Sequence, residues 1–209
     1  MKLDLPSRPS RLGDLIARGF VGGMFVAFAY NILADFAHTG RSTGLLLLAS
    51  ESLVAVFTVI RRQAIEVNRS MMAILVTILS LAAPPLLRTT GGPGLAPDAL
   101  TVGISAVGLA IVVIGKIALG RSFGIVPANR GVVIGGPYAF VRHPIYAGYL
   151  LTHLSFIVAY PSVRNIAIVL LGDTALVARA FYEERTLAHD GRYQAYCQRV
   201  SWHLLPGVF

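Results

Sequence analysis

Six blocks of mostly apolar residues, separated by shorter polar or turn-rich connections, dominate this chain of 209 residues. A hydrocarbon core about 30 Å thick needs roughly 20 helical residues to cross it. The blocks cover residues 16–37, 43–60, 70–87, 99–119, 145–160 and 165–182. They lack the period-two alternation of barrel strands, which favours helices. The sequence therefore predicts an all-α, polytopic membrane protein with six transmembrane helices.

The positive charges are distributed unevenly over the predicted loops. Fifteen of the 18 lysines and arginines fall in the N-terminus, the second loop, the fourth loop and the tail. The other three loops hold only Arg41, Arg88 and Arg164. Because positive residues favour the cytoplasmic side of a membrane, both termini are predicted to be cytoplasmic, with a short helix in the C-terminal tail.

Composition narrows the possible partners. Charged residues make up 13% of the chain, whereas a soluble domain carries about 25%. The cations are spread over several loops at the predicted membrane surface, so we expect membrane lipids and no nucleic acid as partners. The single cysteine, Cys197, excludes a disulfide within the chain.

Polar residues are concentrated after Gly115. The connection of residues 120–144 is too polar to span a membrane and too rich in glycine and proline to be one helix. Gly135, Gly136 and Pro137 are typical of a turn. Pro144 suits the first turn of the fifth helix, where its missing N–H costs little. The sequence thus predicts one membrane domain, with packing helices in 1–97 and the informative half in 98–209.

The last two apolar blocks predict a helix hairpin that turns near Pro161 and Ser162. At a rise of about 1.5 Å per residue, His143 before the turn returns to the same depth as Glu183 and Glu184 after it. A basic Arg-His pair and an acidic pair are therefore expected to face one another at the inner membrane surface.

A polar stripe is predicted on each helix of this hairpin. Tyr146, Tyr149 and His153 recur at helical spacing and share a face. Asp173 and Glu184 are 11 residues apart, which returns them to nearly the same side of the sixth helix. The two stripes are expected to line one cavity that opens inward.

Each of these residues also has a purely structural interpretation. Arg142 is compatible with a headgroup anchor, the tyrosines with an interfacial belt, and His153 with hydrogen-bonded packing. A carboxylate inside hydrocarbon costs about 2.5–3.5 kcal/mol, so Glu51 and Asp173 are expected to face the bundle interior or to be protonated. No His/Cys cluster has the spacing of a zinc site, and no metal site is predicted.

Four segments of the chain carry a resemblance: LGRSFGIVP (119–127), GGPYAFVRHPIYAGYLL (135–151), YEER (182–185) and RYQAYCQRVSWHLLP (192–206). Together they resemble the integral membrane methyltransferases of the isoprenylcysteine carboxyl methyltransferase and phospholipid methyltransferase families. The similarity covers roughly the C-terminal half. An RHP-x-Y-x-G element followed about 40 residues later by a glutamate pair is the specific combination.

The resemblance implies a methyltransferase that uses S-adenosylmethionine and acts on a lipid-like acceptor at the cytoplasmic membrane face, with 98–209 as the cofactor-binding and catalytic half. Isoprenylcysteine carboxylates, phospholipid amines and similar acceptors stay open. By this analogy the catalytic residues are Arg142, His143 and Glu184. The residues predicted to bind the cofactor are Gly136, Pro137, Tyr138, Arg142, His143, Pro144, Tyr146, Gly148, His153, Glu183 and Glu184.

Two other functions are compatible with parts of the sequence. An NADPH-dependent sterol-type reductase shares the RHP-x-Y element and a similar tail, but such enzymes usually carry Asn where this chain has Ile145. A membrane scaffold or small permease would also keep ionisable residues in its core. The glutamate pair favours the methyltransferase, and a permease would more typically show broken helices and repeated halves.

Overall fold

A computed structural model of the protein describes residues 11–60, 62–89 and 93–208. These residues are mostly helical and include one small pair of antiparallel strands. The helices are α1 (Arg11–Thr39), α2 (Thr43–Ile60), α3 (Met71–Leu86), α4 (Asp98–Leu119), α5 (Pro144–Ala159), α6 (Val163–Leu187) and α7 (Gly191–Arg199). The strands are β1 (Glu66–Val67) and β2 (Ala128–Asn129). Predicted cytoplasmic cations Lys2, Arg8 and Arg61 lie outside the described residues.

All six predicted apolar blocks are helices, and the predicted tail helix is present as α7. The boundary of the sixth block was wrong, because α6 continues to Leu187 and so contains Glu183 and Glu184. Glutamate and arginine are good helix formers, so a helix continues past its apolar part without a change that hydropathy detects.

Membrane crossing is supported most directly for two helices. Asp98–Ser122 and Val163–Leu187 are long and apolar enough to span a bilayer, whereas Met71–Leu86 and Pro144–Ala159 are apolar but shorter. Six membrane crossings and the orientation of the termini therefore remain predictions.

The three cations assigned to the non-cytoplasmic loops lie at one end of the bundle. Arg41 donates to the carbonyl of Ala159 at 3.3 Å. The backbone of Arg88 exchanges hydrogen bonds with the side chain of Asn165, at 3.1 and 2.8 Å. The α1–α2, α3–α4 and α5–α6 connections thus meet, as alternating helix directions require.

Helices α4 and α5 form the closest seam of the bundle. A Cβ at Gly148 would lie 2.7 Å from the carbonyl oxygen of Gly108, and one at Gly108 would lie 2.8 Å from that of Gly148. Small residues allow such close approach between membrane helices. Helix α6 packs mainly on α3 instead, so α5 and α6 are each held by another helix. This arrangement leaves room for cavities between α5 and α6.

Candidate functional site

The site is built around the start of α5, where proline shapes the backbone. Pro144 occupies the first turn of α5, and a residue before proline avoids the helical conformation. His143 accordingly has φ −128° and ψ 61°. The freed backbone N–H groups of Arg142 and His143 donate to the carbonyls of Trp202 and His203, at 2.9 and 2.8 Å. The C-terminal tail is therefore fastened over the RHP element.

Glu184 is the centre of the polar cluster at this end of the bundle. Its Oε1 lies 2.8 Å from His143 Nε2 and 2.6 Å from His203 Nδ1, and its Oε2 accepts a hydrogen bond from Arg142 Nη1 at 3.0 Å. The predicted meeting of the Arg-His pair with the acidic pair is therefore confirmed. Three side chains from two segments are held by one carboxylate.

Arg142 also supports the tail. Its Nε donates to the carbonyl of Val200 at 2.8 Å, and its Nη2 donates to the carbonyl of Cys197 at 3.3 Å. These two contacts and the pair with Glu184 use all three guanidinium nitrogens. The interpretation of Arg142 as a simple headgroup anchor does not account for these bonds.

Glu183 belongs to a second set of contacts beside the first. Its Oε1 accepts a hydrogen bond from Tyr146 Oη at 2.6 Å and pairs with Arg179 Nη2 at 3.3 Å. Its Oε2 lies 4.0 Å from His143 Nδ1. The ring of His143 is stacked on that of Tyr146, with centroids 5.3 Å apart and planes 9° apart. Glu183 thus keeps one oxygen with hydrogen-bonding capacity.

A cavity of about 100 Å³, here called the first cavity, lies against this cluster. Residues of the α4–α5 connection, α5, α6 and α7 surround it. Its polar and aromatic wall includes Phe123, Arg130, Tyr138, Arg142, His143, Tyr146, Arg179, Glu183, Tyr193 and Tyr196. Carboxylate, guanidinium and ring groups thus converge on one space.

The phenols contributed to this wall by the connection and α7 are held neutral. Burial raises the pKa of Tyr138 above its ordinary value, and the charge of Glu183 adds to the rise. Burial also raises the pKa of Tyr193 and of Tyr196. Tyr196 Oη donates to the carbonyl of Tyr138 at 2.7 Å. These phenols therefore serve as hydrogen-bond donors at physiological pH.

The predicted cofactor residues fall in three places. Tyr138, Arg142, His143, Tyr146 and Glu183 line the first cavity, and Glu184 supports them from behind.

The remaining predicted cofactor residues lie outside that wall. Gly136 and Pro137 begin a 3-10 turn, Gly136–Ala139, with Gly136 at φ 61°. Pro144 starts α5, and Gly148 lies in the α4–α5 seam. His153 lies deeper and pairs with Asp173, with 2.6 Å between Nδ1 and Oδ1. The binding roles assigned to all these residues stay predictions.

A smaller second cavity, of about 30 Å³, lies around His153. Its wall includes Glu51 of α2, Ser80 and Pro84 of α3, and Tyr149 of α5. The predicted polar stripe of α5 is therefore divided between two cavities. Residues 1–97 pack as predicted, and they also contribute side chains to this second wall.

Sequence reasoning missed His203 and Arg179 as members of the site. His203 lies in a tail without regular structure, so no periodicity relates it to Glu184. Arg179 precedes Glu183 by four residues, a spacing that places both on one helix face. That spacing was the available signal for Arg179.

His143, Glu184 and His203 also bring three potential metal-ligand atoms within 4.8 Å of one another. The other oxygen of Glu184 is paired with the Arg142 guanidinium, whose charge opposes a cation at this position. We therefore interpret the trio as a hydrogen-bonded cluster, and the absence of a metal stays a prediction.

Comparison with known proteins identifies the segment that contains this cluster. Residues 98–190 match the family model described as phospholipid methyltransferase. The match runs from α4 to the start of α7 and includes the RHP element and both glutamates. Comparison with curated proteins gives no match. The predicted resemblance is confirmed: in residues 98–190 this chain has the phospholipid methyltransferase domain of a membrane methyltransferase family.

Proposed function

We propose that the protein transfers a methyl group from S-adenosylmethionine, bound in the first cavity, to a lipid-like acceptor. The family match supports a methyltransferase that acts on lipid-like molecules. The observation that carries the assignment of the donor site is Glu183, which lines the first cavity with one carboxylate oxygen unbonded, beside Tyr146 and Arg179.

The side chains of the first cavity fit the chemistry of this donor. Its amine and ribose hydroxyls need a carboxylate acceptor, which Glu183 supplies. Its carboxylate needs a cationic donor, and Arg179 Nε is buried without a hydrogen-bond partner in the described part of the chain. The rings of Tyr138 and Tyr146 offer a wall for adenine and a face for a cationic sulfur.

The two glutamates divide the work. Glu183 contacts the donor, while Glu184 acts as a positioning residue because its oxygens are already bonded to Arg142, His143 and His203. His143 is held between the glutamates and stacked on Tyr146, so we assign it a structural role in shaping the donor cavity.

When bound, the donor supplies an electrophilic methyl group on a positively charged sulfur. The side chains of the protein need to align this methyl with the acceptor and to exclude water, which provides much of the rate enhancement in a displacement reaction. The tail fastened over residues 142–143 closes one side of the site.

We further propose that six helices cross the membrane and that the first cavity opens toward the cytoplasm. The cation distribution supports this orientation, and the non-cytoplasmic cations Arg41, Arg88 and Arg164 lie together at one end of the bundle. A reporter fused after Phe209 should be active only in the cytoplasm. Activity on the opposite side would contradict the six-helix topology.

Donor binding tests the proposed function directly. Purified full-length protein in detergent micelles is titrated with S-adenosylmethionine and, separately, with NADPH by calorimetry. We expect binding of S-adenosylmethionine only, weakened at least tenfold by Glu183→Gln because the amide replaces an acceptor oxygen with a donor.

Glu66→Gln is the matched control for this titration. Glu66 lies on β1, is paired with exposed His189 and lies outside the first cavity. Its substitution should leave donor affinity unchanged. Binding of NADPH in place of S-adenosylmethionine, or equal donor affinity in Glu183→Gln and wild-type protein, would overturn the assignment.

A further inference from the structure

The second cavity contains polar atoms that the bundle leaves without hydrogen bonds. His153 has an exposed fraction of 6% and Tyr149 of 7%. His153 Nε2 and Tyr149 Oη are both buried and have no hydrogen-bond partner among the described residues, and both side chains line this cavity. Buried polar groups normally have partners, so two such atoms on one wall point to a ligand.

The contacts of His153 determine which nitrogen carries a proton. Nδ1 lies 2.6 Å from Asp173 Oδ1, a distance that makes Nδ1 the donor to this carboxylate. In the neutral ring, Nε2 then has a lone pair directed to a site without a protein donor. Glu51 Oε1 lies 3.8 Å from Nε2, beyond hydrogen-bond distance. A lone pair and a carboxylate thus lie side by side.

The charges around this position favour a cationic donor group. Glu51 and Asp173 flank His153 from α2 and α6. The nearby cations are engaged elsewhere: Lys116 Nζ donates to the carbonyl of Ser50 at 3.3 Å, and Arg179 Nη2 donates to that of Gly124 at 3.0 Å. An ammonium group has N–H donors for His153 Nε2 and Glu51. A carboxylate would be repelled by Glu51.

The two cavities adjoin. Phe123, Tyr146 and Arg179 line both of them. A group in the second cavity is therefore separated from the donor cavity only by these side chains. The apolar residues Val54, Leu81 and Leu176 complete the second wall, which suits the lipid part of an acceptor.

We propose that the second cavity binds the amine head of a lipid acceptor and that His153 Nε2 takes the proton this amine loses. The inference rests on the proposed function and specifies its acceptor. The amine lone pair forms the new nitrogen–carbon bond while the carbon–sulfur bond of the donor breaks and leaves its electron pair on sulfur. The proton passes from nitrogen to His153, which Asp173 orients, and Glu51 holds the ammonium form before transfer.

Head-group selectivity tests the site with two probes of equal tail length, dodecylamine and dodecanoate. Binding of each to purified full-length protein is measured by calorimetry in the presence of S-adenosylmethionine. Wild-type protein should bind the amine at least tenfold more tightly than the carboxylate. Glu51→Gln should lower amine affinity at least tenfold, while donor affinity stays within twofold of wild type and so reports an intact fold.

His153→Gln separates proton transfer from binding. Glutamine retains a polar group but has no titratable lone pair. We expect the single-turnover rate of dodecylamine methylation to fall about 100-fold, as is typical for the loss of a general base. The rise of this rate with pH should disappear, and donor affinity should be unchanged. Glu66→Gln again serves as the control.

The outcomes distinguish the two proposals. Loss of S-adenosylmethionine binding by wild-type protein would overturn the proposed function. Normal donor binding together with tighter binding of dodecanoate, or with amine affinity unaffected by Glu51→Gln, would overturn the acceptor site alone. A pH profile that persists in His153→Gln would overturn the role of His153 as base.

Discussion

The two cavities share three wall residues but differ in how their polar groups are satisfied. Beside the first cavity, Glu184 has three partners and Arg142 bonds three chain segments. Around the second cavity, His153 Nε2 and Tyr149 Oη have no hydrogen-bond partner in the described structure. A fully bonded network gives rigidity, whereas unsatisfied buried groups lower stability unless a ligand completes them. The first cluster therefore holds the donor cavity in shape, and the second is arranged for the acceptor.

Glu184→Gln should break the bonded network most severely. The amide cannot accept from Arg142 and both histidines, and breaking a buried ion pair costs about 3 kcal/mol. We expect donor affinity to fall at least tenfold and the melting temperature in detergent to drop. Calorimetry and a thermal melt measure the two effects. If donor affinity stays normal, the acidic pair has no positioning role, and Glu183→Gln/Glu184→Gln excludes compensation by the neighbour.

His143→Asn tests whether the bonded histidine is structural. Asparagine loses the stacking on Tyr146 and the ring contact with Glu184. Donor affinity and turnover should therefore fall together, by about tenfold if the cost is about 1.4 kcal/mol, and no limb of the pH–rate profile should vanish. Intact donor affinity with loss of an acid limb would identify His143 as a base instead.

Gly148→Ala tests the seam that holds α5 beside both cavities. The new methyl would lie 2.7 Å from Gly108 O and 2.8 Å from Val112 Cγ2, so α4 and α5 must separate. Overpacking of this kind costs about 2 kcal/mol. We expect a lower melting temperature, measured in detergent.

Gly103→Ala is the matched control on α4, because a Cβ there meets nothing within 4 Å. Alanine is the better helix former, so this variant should be neutral or slightly more stable. Equal melting temperatures for the two variants would show that the α4–α5 seam tolerates a methyl group. A loss of donor affinity in Gly148→Ala without loss of stability would favour a direct binding role.

Tyr149→Phe and Tyr196→Phe compare an unbonded hydroxyl with a bonded one. Tyr149→Phe removes a buried hydroxyl that has no partner, so stability should stay level or rise. Tyr196→Phe removes the bond to the carbonyl of Tyr138, which is worth about 1 kcal/mol. Thermal melts of both variants measure the difference. A larger loss for Tyr149→Phe would mean that its hydroxyl is bonded without a ligand.

Much of the helical arrangement was predictable because it follows from local patterns. Apolar block length indicated α1 to α6, and Pro144 marked the start of α5. Equal helix lengths on both sides of residues 161–162 brought Arg142 and His143 to Glu184. The end of α6 was not predictable from hydropathy, since Glu183 and Glu184 continue the helix without apolar residues.

By itself, the sequence determined that this chain is helical and apolar, and that an RHP element and a glutamate pair return to the same depth. Only the tertiary structure decided which partner each polar group found. The tail carries His203 to Glu184, and α2 carries Glu51 to His153, over long sequence separations that no periodicity describes. The physical reason is that α5 packs on α4 and α6 on α3. That packing, more than the pattern of either helix, separates the polar stripe into two cavities.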